Sequence, residues 1–179
     1  MSKEAEAARQ LLEEKGMLQP PVPVEDLARQ LGVQLSFEPF AGDVSGMIVR
    51  DGKRVVIGVN SAHAGTRQRF TIAHELGHLK LHEGRRVIVD RSLKVNMRDP
   101  RSALATSRQE IAANAFAAEL LMPEDILRAE IDRTVAERPN VSDTDLVAEL
   151  ARKFAVSRQA MTYRLVNLRI LSPLAMSSG

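Results

Sequence analysis

The sequence predicts an α+β fold, and three observations carry that prediction. Segments near both ends repeat apolar residues at helical spacing. Between them lie the β-branched runs VQLSFEPF, SGMIVR and KRVVIGVN, the last two separated by Asp51-Gly52, a pair that favours a tight hairpin turn. The third is composition: 179 residues with 44% hydrophobic and 27% charged side chains suit one globular domain, or one domain with a small satellite. The expectation is a small antiparallel sheet with two helices that carry the chemistry, followed by a helical carboxy-terminal segment.

In chain order, an amphipathic helix is expected near residues 3 to 15, closed by Gly16, and QPPVP then makes a stiff connector. VEDLARQLGV reads as a short second helix, with Leu27 and Leu31 on one face and Gly32 as its stop. The three strands follow. A helical period begins near Thr66 and continues to Gly84, with Phe70, Leu76 and Leu79 among its apolar positions. Residues 85 to 106 lack a clear period but could hold a strand such as RVIVD. A further helix is expected from about 107 to 122, ended by Pro123. Domain boundaries are placed at 1–125 and 126–179.

Composition also excludes chemistry. With no cysteine there is no disulfide framework, thiolate metal site or thiol nucleophile, so any metal must use His, Asp or Glu. MSKEAEAARQLLEEKG mixes charges where a secretory signal needs an apolar stretch, and no run approaches the roughly 18 apolar residues of a membrane span. A cytoplasmic protein without a membrane partner is expected.

Three of the four histidines fall in TIAHELGHLKLH, at positions 74, 78 and 82. Residues four apart on a helix point the same way, so His74 and His78 can grip one ion. Glu75 is rotated about a quarter turn away, where it flanks the ion without ligating it and can accept a proton from water. Neutral imidazoles suit Zn²⁺, one per chain, which lowers the pKa of its bound water to about 7. This H-E-x-x-H arrangement is that of a hydrolytic centre.

Such a centre needs a third protein ligand. Leu81 and Gly84 stand where one group of these enzymes continues the motif with Gly and His, so the ligand must come from elsewhere. Glu110, at the head of EIAANAFAAELLMP with Asn114 one turn later on the same face, is the candidate, and Glu119 is a competitor. Glu110 has a second reading. With Ser107 it spells S-x-x-E, a helix-capping box that would account for the glutamate without any metal.

HELGH followed by ExxANxFAxxLLMP resembles the ImmA/IrrE metallo-endopeptidases, over roughly Val24 to Pro123. The resemblance implies a zincin-like core in which His74, His78 and Glu110 bind zinc, Glu75 is the catalytic base and Asn114 supports the site from behind. It also implies cleavage of helix-turn-helix repressors, hence a link to transcription regulation and stress responses.

His82 lies two turns beyond His74 and drifts about 80° around the helix, too far to share the same ion easily. It is assigned either to the rim of the site or to surface packing. His63 is expected to be structural or exposed, and the single tyrosine, Tyr163, sits too far along the chain to be a favoured oxyanion partner.

DLVAELARKFAVSRQAMTYRLVNL looks like a helix-turn-helix, with Val156-Ser157 as turn and cap, and Arg158 and Arg164 as candidate nucleic-acid contacts. Ala155 replaces the usual turn glycine, which favours two helices packed on the core over groove binding. Charge is unevenly spread: residues 109 to 149 carry ten acidic against three basic side chains, whereas from Arg152 onward there are five basic and none acidic. Two function classes result. The favoured one is a zinc endopeptidase acting on a partner protein, and the alternative is a DNA-binding or repressor-sequestering regulator with an inactive peptidase-like site.

Overall fold

The computed structural model describes residues 2–42, 44–52, 54–82, 87–91 and 100–172, with side chains described outside 83–107. Among them are seven helices and four strands: α1 (Lys3–Lys15), α2 (Val24–Gln30), β1 (Val33–Glu38), β2 (Val44–Asp51), β3 (Arg54–Asn60), α3 (Gly65–Leu81), β4 (Val87–Arg91), α4 (Pro100–Leu121), α5 (Glu124–Glu137), α6 (Asp143–Phe154) and α7 (Arg158–Asn167). The fold is α+β. No described helix is long and apolar enough to cross a membrane.

The sheet corrects one expectation. Its strand order is β1-β3-β2-β4, and it is mixed rather than antiparallel, because β1 pairs with β3 in parallel from Val33 opposite Val55 to Glu38 opposite Asn60. β2 and β3 form the expected hairpin, with Asp51 opposite Arg54. The hairpin inserts its second arm beside β1, and since β2 runs against β1, β3 must run with it. β3 takes the interior position because Ile57, Gly58, Val59 and Asn60 are buried in succession, as suits a strand covered on both faces. Alternation along a strand reports which faces are buried and is silent on which neighbour it pairs with. The RVIVD segment does supply a strand, β4, antiparallel to β2 with an irregularity between Val44 and Gly46.

α3 lies across β2 and β3, with α4 on its other side. Thr71 through His78 are all buried, so this helix has no solvent stripe along its central turns. Two glycines make the packing possible. A Cβ on Gly46 of β2 would stand 2.3 Å from Thr71 Cγ2, and one on Gly77 would stand 3.1 Å from the Cα and carbonyl oxygen of Ala113 and 3.3 Å from Phe116 Cβ. The sheet therefore approaches α3 at a distance a side chain would prevent, and α4 at one a side chain would crowd.

One apolar core joins these layers, from Leu12 and Leu27 through Ile48, Ile57, Ile72 and Leu76 to Phe116 and Leu120, and on to Leu150, Phe154, Met161 and Leu165. The carboxy-terminal helices are thus packed on the rest, and two arginines brace them there. Arg69 of α3 donates to the carbonyls of Ala155 (3.1 Å) and Val22 (2.9 Å). Arg164 of α7 forms an ion pair with Glu119 of α4 and donates to Met122 O at 3.1 Å. Ala155 adopts the left-handed conformation (φ 51°, ψ 48°) that glycine usually supplies at such a turn, and Ser157 caps α7 through Ala160 N.

Candidate metal centre

His74 and His78 leave α3 on the face turned toward α4, and their rings meet edge to face with centroids 4.7 Å apart. Their Nε2 atoms are 3.0 Å apart. Glu110 of α4 reaches both, with one carboxylate oxygen 3.1 Å from His74 Nε2 and the other 3.3 Å from His78 Nε2. Donors held at about 2.0–2.2 Å around a tetrahedral zinc lie roughly 3.3 Å from one another, so this spacing suits a shared ion. Among the described residues these three form the one His/Asp/Glu group able to hold a metal.

The proton inventory agrees with that use. His74 Nδ1–H donates to Asn114 Oδ1 at 2.9 Å, which turns Nε2, the nitrogen that would ligate an ion, toward Glu110 and His78. For Glu110, burial alone would raise the carboxyl pKa. Hydrogen-bonding and charge interactions with the two imidazoles, whose place a bound cation would take, outweigh burial and hold it down at about 2. The group is therefore an anion, as a ligand for a divalent cation must be. Two neutral imidazoles with one carboxylate make a donor set that fits zinc, and the two histidines are buried while Glu110 keeps a 22% exposed side chain.

Glu75 is fully buried beside its two histidine neighbours. Its carboxylate faces the sheet, where Oε1 would lie 3.4 Å from a Cβ on Gly46. Gly46 thus gives the glutamate its room, a role invisible in the strand pattern.

Other candidates are placed elsewhere. Glu119 accepts from Glu124 N at 3.1 Å through one oxygen and pairs with Arg164 through the other, so both oxygens are committed away from His74 and His78. The capping-box reading of Glu110 does not survive: α4 starts at Pro100, two turns before Ser107, so residue 107 has helix on both sides and no free N-terminus to cap. Proline at the first helical position explains why the start was misplaced, because it begins helices without any Ser/Thr signal. His82 is not a member of the ligand group and donates from Nε2 to Gln109 O at 3.2 Å. Arg164 is turned inward with a 10% exposed side chain, whereas Arg158 and Tyr163 are exposed on α7. His63 is half-buried and its carbonyl accepts from Gln68.

Sequence reasoning missed Arg50. From β2 it donates to the carbonyls of His78 (2.7 Å) and His82 (2.8 Å), placing a cation at the negative pole of α3. A lone arginine in a strand carries no local signal for this, since its partners lie 28 and 32 residues away.

A family model for the IrrE N-terminal-like domain matches residues 28–166. Over 139 residues the chain is 33% identical to the radiation response metalloprotease IrrE of Deinococcus radiodurans, an alignment that takes in 75% of this chain and 37% of that protein. The chain therefore spans little more than a third of the length of that curated relative. Among solved structures, a transcriptional regulator of Mycobacterium tuberculosis is similar in fold, with a TM-score of 0.57 at 18% identity, over 92% of this chain and 46% of that one.

Proposed function

The chain belongs to the IrrE N-terminal-like family, and from that premise we propose that it is a zinc-dependent endopeptidase that hydrolyses peptide bonds in a partner protein, a helix-turn-helix transcriptional repressor. Residues 1–125 would form a zincin-like core and 126–179 a helix-turn-helix-like segment packed against it through the shared apolar core. The observation that carries the reading is the convergence of His74, His78 and Glu110 within 3.0–3.3 Å of one another, with Glu75 buried alongside.

His74, His78 and Glu110 would hold the ion. When bound, zinc supplies a Lewis acid and brings the pKa of water down to about 7. Asn114 keeps His74 in the tautomer that ligates. Glu75 accepts the proton of the attacking water and returns it to the departing amine, and its full burial keeps bulk water from competing for that proton. The Deinococcus relative is a radiation response metalloprotease, which supports a place in stress responses.

The alternative, a DNA-binding regulator with an inactive site, draws its support from exposed Arg158 on α7. The complete Glu75, His74, His78 and Glu110 set weighs against it. The deciding experiment incubates the zinc-loaded chain with a helix-turn-helix repressor encoded beside it. Defined fragments that vanish on chelation are the expected outcome, and an intact repressor with fully loaded enzyme would reject this substrate assignment.

A further inference from the structure

Glu110 is the only member of the ligand group that comes from a second helix, so its place over the histidine pair depends on how α4 sits against α3. Two contacts bracket it. On one side, one turn beyond Glu110, Ala113 lies against Gly77. On the other, His82 at the end of α3 donates from Nε2 to the carbonyl of Gln109, the residue immediately before Glu110.

From this arrangement, and resting on the metallopeptidase reading above, we infer that His82 is a positioning residue that ties the end of α3 to α4 and so sets Glu110 over His74 and His78. The tie is well anchored. His82 leaves the helical path (φ −129°, ψ 103°) while its N–H still donates to His78 O at 3.2 Å. Its own carbonyl accepts from Arg50 at 2.8 Å, and the other guanidinium nitrogen holds His78 O at 2.7 Å. With the backbone pinned from both sides, the imidazole reaches Gln109 from a fixed attachment point. A carbonyl can only accept, so Nε2 carries the proton, and the second lone pair of that carbonyl stays available to the helix. The ring also stands 5.4 Å from that of His78, filling the corner between the two helices.

Residues that orient metal ligands without touching the ion typically change metal affinity about 10–100-fold when replaced. The test is zinc affinity of the purified full chain, measured by competition with a chromophoric chelator, independent of any proteolysis. His82→Phe keeps the ring but loses the donor, and His82→Asn keeps a donor on a stem too short to reach Gln109. Both should weaken zinc binding by about 10–100-fold. His82→Gln, whose amide nitrogen can take the place of Nε2, should stay close to wild type. A purely structural role would lower thermal stability in Phe and Asn variants alike and leave affinity unmoved. In a Glu110→Gln background, His82→Phe should cause little further loss, because the tie acts through Glu110. Undiminished zinc affinity in the Phe and Asn variants, an equal loss in His82→Gln, or full additivity with Glu110→Gln would each overturn the assignment. A wild-type chain that binds no zinc would instead overturn the metalloenzyme reading itself, and the tie's purpose with it.

Discussion

Gly77 of α3 faces Ala113 of α4 across a gap too tight for a methyl group without a shift of a few tenths of an ångström: a Cβ there would stand 3.1 Å from both the Cα and the carbonyl oxygen of Ala113. The glycine in HELGH is thus part of the ligand geometry, since the two helices it lets together carry the histidines and Glu110 respectively. Gly77→Ala gains about 1 kcal/mol in helix propensity but overpacks against backbone, which costs about 1–3 kcal/mol. The expected net effect is a modest loss of stability with a larger loss of zinc affinity, as α4 is pushed away. Urea denaturation of the apo chain and a zinc titration check it. A variant that is more stable and binds zinc normally would show that the gap closes without moving Glu110.

Glu75 is fully buried and stands outside the group His74, His78 and Glu110 proposed to hold the ion, which makes it separable from them. Glu75→Gln keeps the shape and removes the proton acceptor. Proteolysis is expected to disappear while zinc stoichiometry and the circular dichroism spectrum remain those of wild type. Retained cleavage by a fully loaded variant would move the proton transfer to another group.

Much of the site was legible because it is local. The spacing of His74, Glu75 and His78 is a property of one helix, and a helix has one geometry. Gly16 and Asp51-Gly52 ended or turned the chain where their backbone preferences place them. What was not legible is long-range. Parallel pairing of β1 with β3, the Arg50 clamp and the contact of His82 with Gln109 each join residues 20 or more apart in sequence, and nothing in either partner announces the other. Ser107 misled because S-x-x-E is informative only where a helix begins, and this one had begun earlier.

That misreading gives a paired test of Glu110. Ser107 sits inside α4, so Ser107→Ala is expected to change stability by less than about 0.5 kcal/mol, where losing a true cap would cost about 0.5–2 kcal/mol. Glu110→Gln should leave helix content unchanged and lower zinc affinity strongly, because the amide removes the anion that its histidine partners hold near pKa 2. Zinc bound at one per chain with wild-type affinity in Glu110→Gln would remove Glu110 from the ligand set.

The two arginines first paired as nucleic-acid contacts should behave oppositely, because the fold has separated them. Arg164 is 10% exposed and its partner Glu119 is 2% exposed, so the pair is desolvated. Removing one member of a buried pair strands the other, at a cost of about 3–5 kcal/mol, whereas replacing both by apolar residues of similar volume is often near neutral. Arg164→Ala should therefore destabilise the whole chain strongly. Glu119→Gln should do so less, since the amide oxygen can still accept from Glu124 N. The double variant Arg164→Met, Glu119→Leu should recover much of the Arg164→Ala loss, apart from the cap that Glu119 provides to α5. Arg158, exposed at the start of α7, has no ion pair among the described residues, and Arg158→Ala should stay within about 0.5 kcal/mol of wild type. Thermal denaturation of the four variants at one ionic strength decides the matter. Equal, small effects at both positions would mean that Arg164 is solvated in solution and free to serve an external anion, which would return the carboxy-terminal helices to consideration as a nucleic-acid surface.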